Sequence, residues 1–170
     1  KYAEKKDVLI VHAAGNDAKD IDYNDNFPND SDDKVTEFAD NLITVGALNF
    51  ENGNKIVARF SNIGKINVDV FAPGVKIYAT TPNNTYSYLQ GTSMASPNVA
   101  GVAALIRSYY PKLSAKQVKH ILMDSGVAIE SDVIVGGKPA DTRPFSALSK
   151  SGKIVNAYNA LQMAAKMSKK

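Results

Sequence analysis

"GTSMASPNVAGVAALI", residues 91–106, carries the signal on which the fold turns. After Gly91 the run is rich in Ala and Val. It predicts a helix over roughly 92–109, apolar on most sides and expected to be buried nearly all round. Pro97 has no N–H, so the carbonyl of Ser93 loses its helical partner and the first turn is loosened where Ser93 sits. The N–H of Ser93 is one of the donors that a helix N-terminus leaves unpaired, at a place where the local dipole favours negative charge. One residue thus combines a hydroxyl nucleophile with an anion-stabilising N–H. The same letters also describe an ordinary Ser/Thr N-cap.

Upstream, "VLIVHAAGN", 8–16, opens with a continuous apolar run, the pattern of a strand buried on both faces of a parallel sheet. It ends in Gly15-Asn16, at the carboxyl edge where parallel sheets place their sites. Gly15 lets the backbone turn, and the Asn16 amide is a neutral donor that can point at a developing oxyanion. A plain Gly-Asn turn has the same letters. "LITVGAL", 42–48, and "VDVFAPG", 68–74, predict two further parallel strands. "VKIYATT", 75–81, and "TYSYLQ", 85–90, alternate and predict an antiparallel hairpin.

A capping box, Ser114 with Gln117, opens a helix that buries Val118, Ile121 and Leu122 and stops near Gly126. Residues 127–152 read as irregular. A last helix is expected over about 153–167, burying Ile154, Val155, Tyr158 and Leu161. These elements predict an α/β fold: a parallel sheet with helices on both faces, three parallel strands, and one domain over 1–170 with no dividing linker.

Composition narrows the function classes. The chain has 170 residues, 44% apolar and 22% charged, enough for one real core. No apolar run approaches the roughly 20 residues of a membrane span. With no cysteine, disulfides, thiolate catalysis and Cys-based zinc sites are excluded. The net charge of +3 is unevenly spread: residues 17–33 hold seven Asp and one Lys, and residues 150–170 hold five Lys and no acid. The basic end lacks the aromatic interleaving of a nucleic-acid site and reads as a solvated helix face.

Taken together, "VHAAGN", "ARFSNIG…VDVFAPG", "GTSMASPNVAGVAALI" and "SGKIVNAYNAL" resemble, in content and order, the C-terminal portion of the catalytic domain of the subtilisin-like serine proteases, the subtilases. The resemblance runs from about residue 8 to residue 165 and implies a partial subtilisin-like fold. It implies a serine endopeptidase working through an acyl-enzyme, acting on peptide or protein substrates, and secreted or at the cell surface. Ser93 would be the nucleophile, and Asn16 with the Ser93 N–H would form the oxyanion hole. Ala13, Ala14 and Gly15 would line one wall of the pocket for the side chain before the scissile bond. Gly91 and Thr92 would border the cleft.

The family's catalytic Asp and His precede the Asn-bearing strand, in Asp-Thr/Ser-Gly and His-Gly-Thr segments that this chain does not contain. "DSG" at 124–126 and "DTRP" at 141–144 follow Ser93 in the chain and do not match in position. His12 lies four residues before Asn16, about 13 Å away along a strand. A general base needs hydrogen-bond reach. His12 therefore reads as a packing residue and His120 as a helix-surface residue. The chain reads as the C-terminal part of a peptidase domain cut from a longer protein, inactive by itself. The alternative is a subtilase-like domain that binds a peptide or protein partner without cutting. An α/β-hydrolase is disfavoured because position 95 is Ala where Gly-x-Ser-x-Gly requires Gly.

The acidic stretch 17–33 lacks the Gly and terminal Glu of an EF-hand and reads as a solvated loop that would favour basic substrate side chains. No cofactor is expected. Calcium enters only because the family often binds it. Without the missing portion, a strand edge and one face of the central helix would lie open, so a homodimer of this chain is expected.

Overall fold

The structure, a computed structural model, describes residues 1–169. A mainly parallel sheet organises it. Strands β1 (Ile10–Ala13), β2 (Leu42–Leu48) and β3 (Val70–Pro73) lie side by side in parallel. The register pairs Val11 with Ile43 and Gly46 with Phe71. The α-helices, in chain order among the described residues, are α1 (Tyr2–Lys5), α2 (Thr92–Tyr109), α3 (Ala115–Asp124) and α4 (Ala157–Met167). The hairpin β4 (Ile77–Thr81)–β5 (Thr85–Leu89) stands apart as its own two-stranded sheet.

The α/β class and the parallel core are as the sequence predicts, and the differences are local. Period 2 divides β2 cleanly. Ile43, Val45 and Ala47 face one core cluster, joined by Val70 and Ala72. Leu48 and Phe71 face another. The first cluster also holds Ala95, Val99, Ile106, Val118, Ile121, Leu122, Ala160 and Ala164, so α2, α3 and α4 share one face of the sheet instead of two. The other face is covered by loops and by a hairpin, β7 (Asp132–Val135) with β8 (Lys138–Pro144), through Val133, Val135 and Phe145. The connections that cross this face, 14–41 and 49–69, carry no helical periodicity, which is why no helix covers it.

That hairpin replaces the irregular stretch expected over 127–152. Turn residues at 136–139 and prolines at 139 and 144 obscured its alternation. Two short strands, β6 (Val127–Ala128) and β9 (Lys153–Ile154), extend the sheet in the order β1-β2-β3-β9-β6. β9 gives a fourth parallel strand, and it takes the first residues expected for the last helix. Asn156 caps α4 by accepting the N–H of Asn159, and Tyr158 is 70% exposed where burial was expected.

β1 and α2 are more open than their composition suggests. Among the described residues β1 pairs only with β2, and it is exposed to half-buried along its length. α2 buries a single stripe, Thr92, Ala95, Val99, Ala103 and Ile106, and leaves Ser93, Pro97, Gly101 and Leu105 in solvent. Small apolar residues on the exposed side gave the impression of burial all round. The expected capping box of α3 is present, with Ser114 Oγ accepting the Gln117 N–H at 3.2 Å and Gln117 Oε1 accepting the Ser114 N–H at 2.9 Å.

Candidate active site

The carboxyl end of β1 and the N-terminus of α2 meet, and the contact is built by the turn after β1, by Asn62 and by the start of α2. After β1 the chain turns at Gly15, whose φ of +99° is open to glycine and strained for other residues. A Cβ there would also meet Asn62 Nδ2 at 2.5 Å. Asn62 clamps this turn. Its Nδ2 donates to the Ala14 carbonyl at 2.8 Å, its N–H to the Gly15 carbonyl at 2.9 Å, and its Oδ1 accepts the N–H groups of Asp17 and Lys19. Asn62 sits within "ARFSNIG", and the satisfied side-chain amide of a buried Asn is the signal that points to such a role.

Thr92 fixes the next residue. Asn16 Oδ1 accepts both the Thr92 N–H at 2.9 Å and the Thr92 hydroxyl at 3.0 Å, while Thr92 Oγ1 accepts the Gly15 N–H at 3.1 Å. A backbone N–H can only donate, so the amide orientation of Asn16 is settled: its oxygen faces Thr92 and its Nδ2 is left as the outward donor. A Cβ on Gly91 would stand 3.5 Å from that Nδ2, and Gly91 has φ +145°, so a side chain there would be strained and would crowd the amide. Thr92 was expected to border the cleft. It is fully buried and instead supports Asn16 from beneath.

Ser93 follows in the first turn of α2, exposed, and its N–H has no acceptor among the described residues. The helix starts without a side-chain cap, so the N-cap reading of Thr92 and Ser93 does not describe this terminus. Asn98 Nδ2 donates to the carbonyls of Pro73 and Met94 and ties the first turns of α2 to the end of β3. Ser96 Oγ donates to the Val11 carbonyl at 3.1 Å and ties α2 to the open strand. Asn16, Gly91, Thr92 and Ser93 are thus brought together. Ala13 and Gly15 are half-buried beside them, and Ala14 points its side chain into the core, leaving only backbone to face a cleft.

Neither histidine stands with Ser93. The His12 ring bonds Asn26 at 3.2 Å, and its partial burial holds its pKa below the usual imidazole value. His120 bonds Asp40 at 3.0 Å, just before the start of β2 and hence at the amino end of the sheet, opposite the site. The acidic stretch is largely paired: Asp22 accepts the N–H groups of Ile66 and Asn67, Asp20 meets Arg143 at 3.3 Å, and Asp25 meets Lys34 at 2.7 Å. Among the described residues no three His, Asp or Glu converge as a metal-holding group. An open cavity of about 480 Å³ borders the site and is lined by Asn16, Arg59, Phe60, Gln90, Gly91 and Gly136.

The subtilase family matches residues 1–153. Subtilisin DY of Bacillus licheniformis is 48% identical over 97 residues, 57% of this chain and 34% of the relative. Subtilisin BL of Lederbergia lenta is 36% identical over 135 residues, 79% of this chain and 44% of the relative. A structure from the subtilase cytotoxin SubAB assembly superposes with a TM-score of 0.71 at 27% identity, covering 94% of this chain and 50% of that one. The prenylagaramide maturation protease PagA gives 0.69 at 26%, covering 94% and 52%. The chain belongs to the subtilase family. It spans between a third and a half of the length of the curated relatives it matches here.

Proposed function

We propose that this chain is the nucleophile-bearing part of a subtilisin-like serine endopeptidase. Ser93 attacks the scissile carbonyl, and the Ser93 N–H with Asn16 Nδ2 receives the oxyanion. The observation that carries this reading is the fixing of Asn16: two donors from Thr92 occupy its Oδ1 and leave Nδ2 free beside an unpaired helix N-terminus. As the Ser93 Oγ bonds to carbon, its proton must pass to a base. The base then returns the proton to the departing amine, and water hydrolyses the acyl-enzyme by the same relay. Since His12 and His120 are engaged elsewhere, the base and its orienting acid come, in this reading, from polypeptide outside these 170 residues. The chain alone is inactive. Peptides or proteins are the substrates, no cofactor takes part, and secretion or cell-surface display fits the family resemblance.

The test is peptide hydrolysis by the purified chain, alone and mixed with a polypeptide carrying the subtilase Asp-Thr/Ser-Gly and His-Gly-Thr segments. Turnover is expected only in the mixture and is expected to vanish with Ser93→Ala. Turnover by the chain alone that Ser93→Ala removes would mean a base lies within it. A mixture that binds peptide but never turns over would favour the alternative, a domain that binds without cutting.

A further inference from the structure

The β7–β8 hairpin has no part in the chemistry above, yet its tip stands at the candidate cleft. Val133 and Val135 anchor β7 in the core, and Gly136 and Gly137 turn the chain with φ of +60° and +67°. A Cβ on Gly137 would meet the Cβ of Arg59 at 2.9 Å, so the tip is seated against Arg59. Arg59 and Phe60 are themselves held beside Asn16, because the Phe60 carbonyl accepts the Ala18 N–H at 2.9 Å and Asn62 clamps the turn before it.

Arg59, Phe60 and Gln90 line two adjoining cavities. One is the cavity of about 480 Å³ that contains Asn16 and Gly91, where Arg59 is the only charged lining residue. The other, of about 430 Å³, runs on between Ile134, Gly137 and Pro139 of the hairpin and Lys55 and Glu51 opposite. Arg59 is exposed and makes no ion pair among the described residues, whereas the Asp side chains 20, 22 and 25 of the acidic loop are engaged. The trough therefore presents the Arg59 guanidinium, in no ion pair, beside Phe60 and the Asn16 amide, and its second cavity also holds Lys55 and Glu51, which make no ion pair among the described residues either.

We propose that Arg59, seated on the Gly136–Gly137 tip, selects an acidic side chain in the peptide segment on the leaving-group side of the scissile bond. The family resemblance places the segment before the bond against Ala13–Gly15, and none of these residues lines the trough. A carboxylate stem such as that of Glu packs on Phe60 while its head meets the planar fork of Arg59. This rests on the peptidase reading for the direction of the peptide, but the charge preference itself is independent of turnover.

Two readouts separate the failures. In the first, fluorescence anisotropy follows labelled peptides, identical except for Glu, Gln or Lys at two adjacent positions, binding to the 170-residue chain. Glu is expected to bind about tenfold more tightly than Gln, with Lys weakest. Arg59→Gln is expected to erase the preference, Arg59→Glu to reverse it, and Arg59→Lys to retain part of it. In the second, kcat/KM is measured for the same pair placed after the scissile bond in the complemented enzyme. Glu preference in binding without turnover would leave the subsite standing and remove the peptidase reading. Equal binding and equal kcat/KM for Glu and Lys, unchanged by Arg59→Glu, would overturn the subsite while leaving the peptidase reading intact.

Discussion

Asn16→Ala is expected to lower kcat of the complemented enzyme by about 10²–10³-fold with little change in KM, a loss of about 2.7–4 kcal/mol of transition-state stabilisation. The reason is geometric. Asn16 spends its oxygen on Thr92, so its remaining hydrogen-bonding capacity is the pair of Nδ2 hydrogens, beside which, in the proposed reaction, negative charge develops. A donor waiting for charge that develops in the transition state stabilises that state more than the ground state. The same argument extends one residue deeper. Thr92→Val keeps the shape and the backbone N–H bond but removes the hydroxyl that bonds Asn16 and accepts from Gly15. It is expected to reduce kcat about tenfold by loosening the amide, and Thr92→Ser is expected to restore most of the rate. Steady-state kinetics check both, and an Asn16→Ala enzyme with unchanged kcat would remove Asn16 from the mechanism.

Lys119→Ala is expected to be the most destabilising of the charge substitutions, about 3–5 kcal/mol at neutral pH. Lys119 is buried on α3, with Nζ 2.9 Å from Glu37, 3.7 Å from Asp40 and 4.0 Å from Asp30, and Lys150 also pairs with Glu37. Below it lies Asp69, fully enclosed. One of its oxygens accepts the Thr44 N–H at 2.7 Å, and the other has no partner among the described residues. Glu37 and Asp40 keep some contact with water, which screens their share and places the expected cost toward the lower end of the range.

Burial pushes the Asp69 carboxyl up to about 6, against opposing attraction from Lys119. A folded-state pKa above the unfolded value means that this group's contribution is complete below the unfolded pKa near 3.8 and is lost as pH rises through about 6. The difference corresponds to about 3 kcal/mol. Glu37 and Asp40 act in the opposite sense: their lysine and histidine partners hold their pKa values below the usual range against burial, so their contribution is lost as pH falls through those values. Stability is therefore expected to peak on the acid side of neutrality. Without Lys119 the Asp69 anion has lost its counter-charge, so the variant's deficit is expected to grow between pH 5 and pH 8. Urea unfolding at the two pH values measures this, and Asp69→Asn is expected to flatten the wild-type profile. A Lys119→Ala deficit equal at both pH values would show that Asp69 does not feel the lysine.

How much of this was legible in the sequence varied with the kind of information each segment holds. The parallel strands declared themselves because both faces are covered, Ile43, Val45 and Ala47 facing one cluster and Leu48 and Phe71 another, so apolar residues dominate the runs and Thr44 and Asp69, both buried, interrupt them. Gly46 belongs to that pattern: a Cβ there would lie 2.4 Å from the Phe71 ring on the neighbouring strand. Ser93 and Asn16 stood out because their local chemistry is written in consecutive letters. The support for Asn16 was less visible, since Thr92 lies 76 residues away and Asn62 reaches Ala14 across 48. Burial at β1 and α2 falls short of what their apolar letters predict for a related reason. An apolar run reports that a surface should be covered, and β1 here has a neighbour on one side alone. The β7–β8 hairpin escaped notice because prolines and a bulge between Ile134 and Val135 break its alternation.

In the proposed reading Ser93 stands beside anion-stabilising donors and has no base within reach among the described residues. The rate of Ser93 labelling by a fluorophosphonate, located by mass spectrometry, tests it most directly. For the chain alone the rate should be near that of an unactivated serine hydroxyl, rising by orders of magnitude when the histidine- and aspartate-bearing polypeptide is added. Rapid, stoichiometric labelling of Ser93 in the chain alone would mean that a base lies within these 170 residues.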